Sequence, residues 1–394
     1  MSKLSHLTIF ALLLLTSCKK DDVVPTSNNS NYNWTPVNRT TAGIVLDQES
    51  DFIYENKTYN IDFYRNLSYD AGLQGKYTFL IVNPTANPDA EAPLWVYFHG
   101  GGVGYFNDEG IYQCLKFQDS LSWNKEETYN SIMGDILENR LFDNGVLMDN
   151  TLSRRINEGY RLLVVSYSDH DLYSGIGTEY PNNPIGGQVN GLQASMSAVD
   201  FVTDNYPTTY VYSHGTSAGG YGAYILGLAY YFEGTRINGI ISDSGPLIAK
   251  SGELYNEYSD YEENLHMPTF EYQGVVDKVG VWGTLKEELE AAAMISKGFD
   301  VPMLGIAGRI DPFYNCHLPV YSGAVTDGYD NNVDWLFSDI IEAINEQPHS
   351  PHQVLLLDNT GHVPTIKSDP TASNVVDDFI SDILSTNPAF PFSK

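Results

Sequence analysis

Cysteine is scarce in this chain. Only three of its 394 residues are Cys, at 18, 114 and 316, too few for a disulfide framework. Cys114 and Cys316 are able to pair in an oxidising compartment, but free, buried thiols are the expected state. Basic residues are scarce too: 21 Lys and Arg stand against 50 Asp and Glu, a formal net charge of −29. That surface repels nucleic acid and polyanionic polymers and excludes DNA or an anionic membrane surface as a partner. The apolar run Leu7–Leu15 falls short of the roughly 20 residues a bilayer-crossing helix needs. Metal-ligand spacing is missing as well. His349 and His352 lie in a Pro-containing loop rather than on a helix face, and His170, between Asp169 and Asp171, has no third ligand at suitable spacing and reads as part of a solvated loop. No internal repeat is apparent.

The short apolar run has a clear use. Met1-Ser2-Lys3 followed by Leu7–Leu15 reads as a signal peptide over residues 1–17. Leu15-Thr16-Ser17-Cys18 resembles a bacterial lipobox, which implies that Cys18 becomes a lipid-bearing first residue. Lys19-Lys20-Asp21-Asp22 resembles the export tag of surface lipoproteins of Bacteroidetes. Together they imply an outer-membrane lipoprotein of the bacterial cell envelope, exposed at the surface and touching the membrane only through its lipid. Residues 18–38, rich in Asn, Ser, Thr and Pro, read as a flexible tether. Loss of Lys3 with the signal takes the net charge from −29 to −30.

Two glycine-rich signatures stand beyond the tether, each behind a short strand. Leu94-Trp95-Val96-Tyr97-Phe98 runs into His99-Gly100-Gly101-Gly102, and Thr209-Tyr210-Val211-Tyr212-Ser213 runs into Gly215-Thr216-Ser217-Ala218-Gly219. Residues 218–231, rich in Ala, Leu and Tyr and free of proline, then read as a helix. At this composition G-x-S-x-G is expected by chance roughly 0.2 times and H-G-G-G on the order of 0.006 times. Both occur here, in order, each after a strand. Strand, glycine turn with a central serine, then helix is the context of a nucleophile elbow.

At these residues the chain resembles the α/β-hydrolase family, above all lipases and esterases with an HGGG-type oxyanion loop. It departs from many of them in carrying Thr216 rather than Asp before the serine. A second likeness, to pectin acetylesterases, rests on the HGGG start, on the run Ser166-Tyr167-Ser168-Asp169-His170-Asp171-Leu172-Tyr173-Ser174-Gly175 and on Gly215–Gly220. The family likeness implies a mainly parallel sheet with helices on both faces and inserted cap segments. It also implies a chain order of Ser, then acid, then His, each after a strand. Asp311 follows the strand pattern 301–307 and His362 follows 353–357, so Asp311 is the expected acid and His362 the expected base. Asp243, after the pattern 237–241, is the alternative acid, with a turn residue lining the site as its plainer reading; Asp358 sits too near His362 in sequence. Gly101, Gly102 and the amide of Ala218 are the expected oxyanion hole. Such chemistry requires no metal or organic cofactor.

The other histidines fit supporting roles: His99 bracing the oxyanion loop, His214 packing, His317 lining the pocket. Alternating strand and helix patterns from about residue 77, with helices at 190–205, 218–231, 284–297 and 375–384, place residues 39–394 in one α/β-hydrolase domain. Residues 40–82 read as antiparallel edge strands. Insertions at 105–158 and 247–283 read as cap segments. Tyr255, Tyr258, Tyr261 and Tyr272, among acidic residues, suit a cap that stacks on sugar rings and equally suit ordinary lid packing. The leading expectation is a lipid-anchored serine carboxylesterase removing acyl, specifically acetyl, groups from a glycan. A serine peptidase on the same fold is an alternative, though no propeller-like repeat accompanies it. A non-catalytic glycan-binding lipoprotein is another, and an intact Ser217, Asp311 and His362 set argues against it. Oligomeric state is left open.

Overall fold

The computed structural model describes residues 34–392 except 55–56, 73, 85–86, 88, 102–103, 107–111, 115–124, 144–145, 180–186, 246–288, 312–331, 368–369 and 387–391. The chain divides into Met1–Asn33 and Trp34–Lys394, and all described residues belong to the second unit. Cys18, Gly102, Cys316, His317, the four tyrosines of the 247–283 insertion and the first part of the helix expected at 284–297 lie outside the described residues.

A nine-stranded sheet forms the centre. Its strands are β1 (Ile44–Tyr54), β2 (Lys57–Asp70), β3 (Lys76–Val82), β4 (Ala92–Phe98), β5 (Arg161–Val165), β6 (Thr208–Thr216), β7 (Gly239–Asp243), β8 (Met303–Gly308) and β9 (Gln353–Leu357). Their spatial order is β1-β2-β3-β5-β4-β6-β7-β8-β9. The first three strands and the β3–β5 junction are antiparallel, and every later pairing is parallel. Continuous apolar stretches such as Leu94–Phe98 and Leu162–Val165 produce this arrangement, because a strand covered on both faces has no polar side to show. Both stretches are fully buried.

Helices cover the two faces. They are α1 (Thr151–Asn157), α2 (Gly191–Asn205), α3 (Ala218–Phe232), α4 (Ala291–Ser296), α5 (Asn332–Asn345) and α6 (Pro370–Thr386). Adjacent strand residues point to opposite faces, and β7 shows who occupies each. A side chain built at Gly239 would meet Phe379 and Ile383 of α6, whereas Ile240 reaches Gly227 of α3. Proline opens α6, where its missing N–H costs nothing, and Ala372, Val376, Phe379, Ile380 and Ile383 form its buried stripe. On that face Trp95 and Tyr97 pack with Tyr212, Leu304, Ile306 and Phe379 in one core cluster.

The 105–158 stretch is partly core rather than cap. Leu141, Leu152 and Ile156 join the same cluster, and Asn150 caps α1 by accepting the Ser153 amide at 3.0 Å. The Arg155 guanidinium, 2% exposed, lies over the rings of Trp95 and Tyr160 and pairs with Asp377 of α6. Leu152 and Ile156 bury one side of α1 while two arginines hold α6, so this helix is a fixed part of the framework.

Candidate active site

Ser217 stands between β6 and α3 with φ 57° and ψ −123°. A left-handed φ at a residue with a side chain costs about 1–3 kcal/mol, and the surroundings enforce it. The Ser217 amide donates to the Asp243 carbonyl at 2.8 Å, and the Ser217 carbonyl accepts the Gly220 amide at 2.8 Å. Only glycine fits on either side: a Cβ at Gly215 would stand 1.8 Å from the Gly219 carbonyl oxygen, and one at Gly219 would stand 2.0 Å from the Phe98 carbonyl oxygen. Neither oxygen has room to retreat, being backbone. Gly219→Ala is therefore expected to destabilise the fold by more than the usual overpacking cost of about 1–3 kcal/mol. A thermal melt measures this, and an unchanged melting temperature would contradict the tightness of the turn.

The carboxylate that meets the imidazole is Asp311. It lies three residues past β8, fully buried, with Oδ2 2.7 Å from Nδ1 of His362, five residues past β9. Two backbone bonds tie these loops, Arg309 to Leu357 at 3.0 Å and Ile310 to Thr360 at 3.2 Å. The approach needs Gly308, where a Cβ would come within 2.0 Å of the Thr360 carbonyl oxygen. Arg309 engages Asp358 at 2.6 Å and Asp334 at 2.9 Å, which commits Asp358 to the loop brace.

Asp243, the alternative acid, ends β7. Its Oδ2 accepts the Thr365 amide at 2.7 Å and the Thr365 hydroxyl at 2.5 Å, and its Oδ1 accepts the Ser244 hydroxyl at 3.0 Å. Burial pushes its carboxyl up to about 6, outweighing these bonds and the nearby His362. Its oxygens are thus committed to Ser244 and to the loop after His362.

The His99–Gly100–Gly101 strap passes directly beside the elbow. A Cβ at Gly100 would lie 2.8 Å from Cβ of Ser217, and one at Gly101 would lie 2.7 Å from the Tyr167 ring. His99 braces it: Nδ1 faces the Gly100 carbonyl at 2.9 Å and Nε2 faces Glu127 at 3.0 Å. Tyr173 donates its hydroxyl to the His99 carbonyl at 2.9 Å and stacks on Tyr167 at 4.4 Å. Opposite the strap, Ala218 opens α3, whose first amides have no partner within the helix and carry the positive end of its dipole.

The 166–175 run is buried, not solvated. His170, Leu172 and Tyr173 all have left-handed φ, of 52°, 57° and 57°, held by two carboxylates. Asp171 accepts the amides of Tyr173, Gly175 and Gly191 at 2.9, 2.7 and 3.1 Å, and Asp169 accepts those of Gly72 and Asn190. Burial pushes both carboxyls up, and the charge of Asp171 pushes Asp169 further. Glu127, Tyr173, Ser244 and Thr365 escaped sequence reasoning as supports, although the 166–175 run itself stood out.

The strand order, the elbow at the end of β6 and the acid and histidine after β8 and β9 decide the architecture. This is the α/β-hydrolase fold. No protein-family model matches the chain, and no curated protein matches it. Among solved structures it is similar to an S-formylglutathione hydrolase from Agrobacterium tumefaciens, at 14% identity and a TM-score of 0.47, covering 85% of this chain and 98% of that one. It is also similar to a glucuronoyl esterase from Solibacter usitatus, at 11% identity and a TM-score of 0.49, covering 91% and 92%. A Pyrobaculum calidifontis esterase gives 14% identity and a TM-score of 0.42, covering 89% of each chain. Among the described residues no cluster of three or more His, Cys, Asp or Glu is placed to hold a metal ion. A polar cleft of about 610 Å³ lies between residues 38–40 and 68–70 on one side and the start of α2 on the other, and none of Ser217, Asp311 and His362 lines it. Arg39 in that cleft is neutralised by Asp200 at 2.7 Å and Glu233 at 2.6 Å.

Proposed function

We propose that this α/β-hydrolase-fold chain hydrolyses carboxylic esters through Ser217, His362 and Asp311. The observation that carries the reading is the 2.7 Å contact between Asp311 Oδ2 and His362 Nδ1 at neighbouring strand ends, with the strained Ser217 elbow at the end of β6, two strands from β8 in the same sheet. A carboxylate on Nδ1 keeps the proton there and leaves Nε2 unprotonated, the form a base requires. Ser217 Oγ attacks the ester carbonyl while its proton passes to His362. The oxyanion is met by the amides of Ala218 and Gly101, with Gly102 as the further expected donor. Collapse expels the alcohol, which takes the proton back from His362, and water repeats the sequence on the acyl-serine to release the acid.

For the substrate, an acetylated glycan fits best. The pectin-acetylesterase-like runs at 166–175 and 215–220 favour it, and the net charge of −29 disfavours a chain of free carboxylates. Lipidation at Cys18, supported by the Leu15–Cys18 run, would hold the enzyme at the cell envelope. The test is acetate release from neutral acetylated xylan and from acidic pectin at two ionic strengths, with simple acyl esters and peptides alongside. Xylan is expected to react faster at low salt, with the gap narrowing at about 0.15 M, where the Debye length is roughly 8 Å. A lasting preference for the acidic polymer would overturn the charge argument, and cleavage of peptides alone would overturn the esterase reading.

A further inference from the structure

Behind the triad runs a buried chain of hydrogen bonds that reaches the histidine loop from the sheet. Trp95 of β4 donates its indole N–H to Nδ1 of His214 at 3.3 Å, so the neutral ring carries its proton on Nε2. Burial pushes His214 down to about 3, which keeps the ring neutral. That Nε2–H faces the Thr365 hydroxyl at 2.9 Å, and the hydroxyl passes its own proton toward Asp243. Every bond in the chain has a fixed direction, and it ends on the Asp243 carboxylate.

From Asp243 the network grips both sides of the site. Its carbonyl takes the Ser217 amide. Its carboxylate takes the Thr365 amide and, through the Ser244 hydroxyl, controls the acceptor that takes the Val363 amide at 2.8 Å. Val363, immediately after His362, is a β-branched residue at φ 53°, ψ 59°, a conformation that persists only under outside constraint. Ser244 itself stands at φ 53°, with its amide on the Ile306 carbonyl at 2.7 Å. Asp243 and Thr365 are completely buried and Ser244 nearly so, which cuts these bonds off from bulk solvent.

We propose that Asp243 is a positioning residue that sets the placement of the His362 imidazole by clamping the 363–365 backbone through Ser244 and Thr365. The proposal rests on the triad reading above. The Asp243 carboxylate is bonded to the two hydroxyls and the Thr365 amide, with His362 and the Tyr97 phenol near enough to feel its charge and His214 behind Thr365. Asparagine keeps the clamp's heavy-atom contacts at the cost of one reversed bond: its carbonyl oxygen accepts from Thr365 and its amide donates to the Ser244 oxygen, which still takes the Val363 amide, while the Ser244 hydroxyl proton loses its carboxylate acceptor. Alanine keeps none of these side-chain contacts. The clamp therefore works by hydrogen-bond geometry and not by charge.

The experiment compares Asp243→Asn, Asp243→Ala and Ser244→Ala for kcat, KM and melting temperature. In the Ser217→Ala background, the low-field proton NMR signal of the Asp311–His362 bond reports imidazole placement without turnover. Asp243→Asn is expected to lower kcat no more than several-fold and keep the signal. Asp243→Ala is expected to lower kcat about 100-fold, as a displacement near 1 Å does, with KM almost unchanged and the signal shifted or lost. Should Asp243→Ala fail to fold, Ser244→Ala decides: it removes the acceptor of the Val363 amide and the hydroxyl donor to Asp243 while leaving the Thr365 bonds, and is expected to lower kcat roughly 10-fold. A folded alanine variant with full kcat and an intact signal overturns the proposal. So does an asparagine variant as impaired as the alanine one, which would make Asp243 act by charge. Wild-type protein inert to every ester would refute the triad reading, and the NMR comparison would still judge the clamp.

Discussion

Asp311→Asn is expected to lower kcat by about 10⁴ while leaving the fold in place. The present carboxylate only accepts, so the 2.7 Å contact holds the proton on Nδ1 of His362. An asparagine at this position can turn its amide toward the ring, donate to Nδ1 and drive the proton to Nε2, where it blocks abstraction from Ser217. The substitution is isosteric in a fully buried site, so packing stays intact and the effect falls on kcat. The measurement is steady-state kinetics on any ester the protein turns over, with a thermal melt as control. A loss below about 10-fold would mean that the working acid is elsewhere, and Asp243, committed to Thr365 and Ser244, would be the next residue to examine.

The placement of Ser217, Asp311 and His362 at one end of the sheet was legible in the sequence because each follows an apolar or aromatic strand run. Runs such as 94–98 and 303–307 announce themselves by unbroken apolarity, and the first residues after them occupy the same end of a parallel sheet. Glycines made the elbow readable in addition, since Gly215 and Gly219 answer to atoms of neighbouring backbone. The supports were not legible for an equally physical reason. The Val363–Ser244 and Thr365–Asp243 bonds join residues 119 and 122 positions apart, and Tyr173 reaches His99 across 74. No local pattern marks a lone Ser, Thr or Glu as the partner of such a bond. His170 misled for a related reason: two flanking aspartates suggest a wet loop, yet here the carboxylates point inward onto backbone amides. Helix α5 is a different case, because Val333, Leu336, Phe337, Ile340 and Ala343 are all buried at helical spacing. Its period was present in the sequence.

Ser217→Ala is expected to cost more than any other single change, about 10⁶ in kcat, leaving only what the oxyanion strap and substrate binding contribute. The same residue carries backbone strain, which separates its chemistry from its stability. Alanine keeps a Cβ at φ 57° and so keeps the strain. Glycine has none to keep, and Ser217→Gly is expected to be equally inactive but more stable by up to about 1 kcal/mol, less its entropy in the unfolded chain. A serine-directed phosphonate should label wild-type protein at Ser217 and neither variant. Turnover or labelling that survives in Ser217→Ala would overturn the mechanism. A glycine variant that melts below the alanine one would show that the elbow's conformation is held at little energetic cost. The strained turn would then be a consequence of the close β4–β6 packing that Gly219 permits against the Phe98 carbonyl, with the serine accommodated by it.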